Sequence, residues 1–139
     1  MTEEKQKAYR EMRSLTVCQP WATLLVLGVK PVENRNWQTD YRGPVAIIAG
    51  RKLDIGERAA KALADYLPAI TLDALPRGVC IGVVDIFDVT RSMDSWWFTG
   101  PWGMLVRNPF KLGWQIPARG HQSIRKCDPE LRELIMAQI

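Results

Sequence analysis

Lys30, Glu33 and Arg35 are the residues of this chain whose types and spacing could do chemistry. They stand at i, i+3 and i+5, just after a short apolar segment that ends in Gly28. In an extended chain, side chains two apart share a face. Glu33 and Arg35 therefore lie together, and the turn at Gly28–Pro31 brings Lys30 to them. One reading is an ion-pair cluster that fixes a helix-to-strand corner. The other is a pocket. Arg35 offers a planar fork for phosphate or carboxylate. Lys30 offers a cation that burial can turn into a base or nucleophile. Glu33 can hold a base edge or move a proton. Trp21, Trp37 and Tyr41 are close in sequence and could wall such a pocket, stacking on a nucleobase. Helical register favours core packing for Trp21, so Trp37 is the better stacking candidate.

These residues need elements to position them. Leu15–Cys18 reads as a short strand, and Pro20 suits the first turn of a helix that carries Trp21, Leu24 and Leu25 and stops at Gly28. Val32–Trp37 is a second strand, and Gln38–Pro44 has turn chemistry. Val45–Ala49 is an apolar strand, expected to be buried on both faces. Asp54 is expected to cap a helix running to Leu67, with Glu57 as its reaching partner and Ile55, Ala59, Ala62 and Leu63 inward. Val79–Val89 is a long strand in which Gly82 marks a bulge or a close backbone approach. Thr90–Gly100 is a loop, Pro101–Val106 a strand, Phe110–Pro117 irregular and Gln122–Lys126 a last strand. Asp128-Pro129 opens a C-terminal helix. Five or six short strands with two or three helices, in mixed order, give an α+β class and favour a small β-barrel over a doubly wound sheet.

The chain has 139 residues, enough for one domain with a real core. Residues 1–13 read as a helix or arm anchored by Tyr9 and Met12, 14–127 as the domain, and 128–139 as a helix packed on it. No apolar run reaches the ~20 residues of a membrane span, and the charged N-terminus has no signal-peptide core. A cytoplasmic protein that does not engage membranes is therefore expected. Three scattered cysteines and the single His121 make neither a disulfide framework nor a metal site, and no cofactor is expected. Cys127 follows two basic residues that could lower its pKa.

Net charge is +4, but it is unevenly placed. Residues 30–52 carry five cations and two acids, and residues 101–127 carry five cations and no acid. Both segments are rich in tryptophan and glycine. Cations for phosphate and rings for bases are what a nucleic-acid surface requires. A solvated basic face over core tryptophans is the alternative. Trp96, Trp97 and Phe98 are adjacent and cannot all face one core, so at least one faces a groove or a protein partner.

Leu15-Thr16-Val17-Cys18-Gln19-Pro20-Trp21-Ala22, Gly28-x-Lys30-x-x-Glu33-x-Arg35 and Tyr41-Arg42-Gly43-Pro44 together resemble the ASCH domain family of the PUA-like superfamily. The later Gly100–Val106, Asn108-Pro109 and Pro117-x-Arg119-Gly120 resemble the closing part of that domain. The resemblance implies a barrel of five to six strands with flanking helices, and a cleft near the signature. It implies an association with RNA, single-stranded nucleic acid or a modified nucleoside. Gln19, Trp21, Lys30, Glu33, Arg35, Trp37, Tyr41, Arg42 and Arg119 are the candidate ligand-binding residues. Some members of the family are amidohydrolases acting on acetylated cytidine, and one is a nuclease. The matching lysine is their proposed nucleophile or base, which here is Lys30. Glu33 stands where that branch has threonine, and Asp94 or Asp85 is nearest by order to its distal glutamate. The reading is a nucleic-acid-binding module. The alternative is a metal-independent nucleoside amidohydrolase using Lys30 and Glu33, with a ribonuclease as the weaker enzymatic option.

Overall fold

A computed structural model describes residues 1–139. Its elements are α1 (Glu3–Arg10), β1 (Arg13–Gln19), α2 (Trp21–Val26), β2 (Val32–Arg35), β3 (Gly43–Leu53), α3 (Glu57–Tyr66), β4 (Val79–Thr90), β5 (Trp102–Pro117), β6 (Arg125–Lys126) and α4 (Pro129–Met136), with a 3-10 turn at Leu72–Ala74. The six strands form one sheet in the order β2-β5-β4-β3-β1-β6. β1 runs parallel to β3, and every other pairing is antiparallel.

Strict alternation along β3 divides the interior in two. Val45, Ile47 and Ala49 face one core with Leu15 and Val17 of β1, Leu25 of α2 and Met104 of β5. Ala46 and Ile48 face the other, with Tyr9, Met12, Leu131 and Ile135. A strand buried on both faces reads as a continuous apolar run, which is the pattern seen in the sequence. α2 fills the first core, and the terminal helices α1 and α4 cover the second. Tyr9 and Met12 are both buried, so the N-terminal segment is docked. Asp128 accepts a hydrogen bond from the Glu130 amide and caps α4 as expected.

The ladder stays open, because β2 and β6 lie at its two ends. Side chains close the gap instead. The Arg35 guanidinium on β2 donates to the Thr16 carbonyl of β1 at 2.9 Å, although the two strands are not paired. The sheet is therefore an α+β, barrel-like wrap with a side-chain seam, and the signature residues form that seam.

Three local expectations change. Gly56 takes the cap position of α3, because both oxygens of Asp54 are engaged, one by the Gly56 amide and one by the Trp21 indole. Ile55 points outward, at 88% exposure. The stretch Phe110–Pro117 is not irregular. β5 continues through Asn108, which adopts a φ of 53°, and pairs with β4 as far as Pro117. Gly82 sits at a register shift of β4 and also at a close approach, since a Cβ there would lie 2.6 Å from the Phe110 carbonyl oxygen.

Candidate functional site

The helix-to-strand corner is built locally. Gly28 adopts a φ of 78°, which glycine accepts without steric cost, and it ends α2 so that Lys30 turns back under Trp21. The Lys30 ammonium donates to the Val32 carbonyl and, at 2.9 Å, to Glu33 Oε1. Glu33 Oε2 accepts from Arg35 Nε at 3.0 Å. Lys30 is only 4% exposed and Glu33 7%. The Trp21 ring lies over the Lys30 ammonium, 5.6 Å from nitrogen to ring centroid. The two sequence readings thus coincide: the trio is a closed ion-pair chain and also part of the wall of a cleft of about 620 Å³.

The cleft gathers residues far apart in sequence. β1 contributes Thr16 and Cys18, the end of β3 Arg51 and Lys52, α3 Arg58, and the loop after β4 Trp96 and Trp97. Five cations (Lys30, Arg35, Arg51, Lys52, Arg58) face two carboxylates, Glu33 and Asp54. Arg58 stacks on Trp96, its guanidinium carbon 4.1 Å from the ring centroid, and donates to the Trp96 carbonyl. Trp96 remains 40% exposed. Trp97 turns inward and meets Trp21 edge-on at 6.3 Å. Asn34 holds this loop, donating to the Trp97 carbonyl and accepting from the Thr99 and Gly100 amides.

Of the residues named from the sequence, Trp21, Lys30, Glu33 and Arg35 come together in the cleft. Gln19 is fully buried with its side chain engaged by the Pro76 carbonyl and the Thr23 amide, so it supports α2 from below. Trp37 packs on the first core with its ring near Arg35. Tyr41 packs there too and donates to the Pro44 carbonyl; burial pushes its phenol up to about 12. Arg42 reaches the Thr39 and Tyr41 carbonyls outside the cleft. Arg119 lines an adjoining groove. Asp94 is exposed on the loop, and Asp85 accepts from Asn108, so neither carboxylate enters the cleft. The carboxylate near the trio is Asp54, which sequence reasoning assigned to capping. Arg51, Lys52 and Arg58 were also missed as site residues, although the first two lie within the basic segment 30–52.

Cys18 lines the cleft, but its thiol is pushed up, first by burial and then by the Glu33 and Asp54 carboxylates. It is a poor thiolate and does not read as a nucleophile. Burial likewise pushes Cys127 up to about 11, so the basic neighbours noted in the sequence do not activate it. No three side chains of metal-ligating type gather anywhere in the fold.

A family model of the ASCH domain matches residues 15–109, which include the whole signature. The chain belongs to the ASCH domain family. Two curated relatives are Activating signal cointegrator 1 of Homo sapiens, 28% identical over 149 residues, and its Mus musculus counterpart, 27% identical. Each alignment covers 94% of this chain but 25% of the relative, so the chain spans about a quarter of their length. Among solved structures, an ASCH protein from Zymomonas mobilis superposes with a TM-score of 0.57 at 14% identity, covering 92% of this chain and 95% of its own. A serine-to-alanine mutant of that bacterial protein superposes with a TM-score of 0.59, also at 14% identity, covering 92% and 96%. At that identity the likeness establishes the shared fold.

Proposed function

We propose that this ASCH domain binds single-stranded RNA, holding a nucleotide in the cleft beside the signature. One observation carries the reading: five cations and a half-exposed tryptophan line one concave site of nucleotide-scale volume. Arg51, Lys52 and Arg58 are exposed at its rim and meet phosphate, while the side of the Trp96 ring that Arg58 does not cover stacks on a base. Lys30, Glu33 and Arg35 form a charged wall, because Glu33 holds Lys30 through one oxygen and Arg35 through the other. The family's association with RNA supports the same reading. Fluorescence anisotropy with a labelled 12-nucleotide RNA between 50 and 200 mM salt tests it. The logarithm of affinity falls by ~0.7 per contacted phosphate per decade of salt. Arg51→Gln with Arg58→Gln therefore lowers the slope by about 1.4. Salt-independent binding, or a double variant that binds like wild type, refutes the proposal.

A second reading rests on the 2.9 Å contact between the Lys30 ammonium and Glu33. That pair is suited to passing a proton while water adds to the acyl carbon of an acylated cytidine, releasing carboxylic acid and the free amine. Incubation with N4-acetylcytidine, followed by chromatography of the products, decides it. Release of cytidine that disappears in Lys30→Met supports the reading, and no release by the wild-type protein excludes it.

A further inference from the structure

The cleft does not end at its own rim. Thr16, Gly50 and Arg51 line it and also line a second depression, which contains Arg119, Gly120 and His121. Arg119 and His121 in turn line a third, with Ser14, Arg125 and Lys126. The three are segments of one groove, and β1 runs beneath it. Strand periodicity explains why. Leu15 and Val17 point into the core, so Ser14, Thr16 and Cys18 share the other face. Cys18 lies in the first segment, Thr16 at the junction and Ser14 in the last. Thr16 braces the junction from both sides. Its carbonyl accepts from Arg35, and its hydroxyl accepts from the His121 amide at 3.0 Å.

The charges along this groove are unused within the protein. Arg51, Lys52, Arg119, Arg125 and Lys126 are all exposed, and none makes an ion pair. Asp128 and Glu130 also line the last segment. From Cys18 to Ser14 is four strand residues, about 13 Å. At ~3.4 Å per stacked nucleotide, that length accommodates about four nucleotides, counting the one in the cleft where Cys18 lies.

We propose that this domain binds a stacked RNA single strand along that groove, with one nucleotide in the cleft and the adjoining phosphates on Arg119, Arg125 and Lys126. The ligand is thus a polymer and not a lone nucleoside. This rests on the cleft being a nucleotide site, and the test separates the two. Affinity is measured for oligouridylates of 2, 4, 6 and 12 nucleotides, with wild type, with Arg51→Gln/Arg58→Gln, and with Arg119→Gln/Arg125→Gln/Lys126→Gln. All five substitutions are at exposed positions, and circular dichroism verifies folding. Wild-type affinity rises with length and levels off near four nucleotides. The triple variant loses that rise and about 2 in salt slope on the 12-mer. A triple variant with wild-type length dependence overturns the groove while leaving the cleft reading intact, provided the double variant is weakened. A weakened triple variant beside an unaffected double variant overturns the cleft reading, and with it the path proposed here. No binding of any length by wild type overturns both.

Discussion

Glu33→Ala is the substitution that most directly probes the signature. Glu33 holds Lys30 through one oxygen and Arg35 through the other. Removing it leaves the Lys30 ammonium, 4% exposed, with only the Val32 carbonyl and the Trp21 face for company. Arg35, whose side chain is 23% exposed, can turn towards water and adds less. Breaking a buried pair by deleting one partner costs about 3–5 kcal/mol, since the other charge stays behind uncompensated. In a domain of this size that lowers Tm by roughly 10–20 °C. Replacing both partners, Lys30→Met with Glu33→Leu, removes the stranded charge and recovers at least half of the loss. Urea titration followed by tryptophan fluorescence gives all three free energies. If Glu33→Ala costs under ~1 kcal/mol, or if the double variant is no better than the single, the carboxylate is not the lock of the seam.

Other consequences are as direct. Gly82→Ala puts a methyl group 2.6 Å from the Phe110 carbonyl and 2.7 Å from Val26 Cγ1; urea unfolding shows a loss of about 1–3 kcal/mol, and a neutral result contradicts the close approach of α2 to β4. Burial holds the Cys80 thiol up to about 12 from an ordinary 9.0. Above pH 9 the unfolded state releases that proton and the folded state keeps it, so stability falls as pH rises from 9 towards 12, by at most ~1.4 kcal/mol per pH unit from this thiol. Cys80→Ala flattens that slope in a pH series of denaturation midpoints. With a thiol-reactive chromophore at about pH 8, below the ordinary thiol range, the native protein labels slowly at Cys18 and not at Cys80 or Cys127 until it is unfolded, as read by mass spectrometry of the modified peptides. Arg58→Ala frees the Trp96 ring, and the fluorescence of that loop becomes more accessible to iodide quenching.

Features that depend on near neighbours or on periodicity were legible in the residues before any fold was known. The lysine, glutamate and arginine meet because a turn and a two-residue strand repeat leave them no other place. The C-terminal helix begins at Asp128 because aspartate before proline satisfies a free amide there. Val45–Ala49 is buried twice over because no polar residue interrupts it. The family signature was legible for the same reason, being compressed into one stretch. Which distant residues join that stretch is a property of the folded chain. Asp54 looked like a helix cap until the fold brought the Trp21 indole to it. Trp37 and Tyr41, nearest in sequence, were turned onto the core, while Trp96 and Arg58 arrived from a loop and a helix that local patterning could not place. β5 runs on through Asn108-Pro109 because the partner strand β4 continues beside it, a pairing that outweighs local breaker signals. The parallel pairing of β1 with β3 has no local signature either, and it is that pairing which sets Thr16 beside Gly50 and joins the cleft to the basic groove beyond.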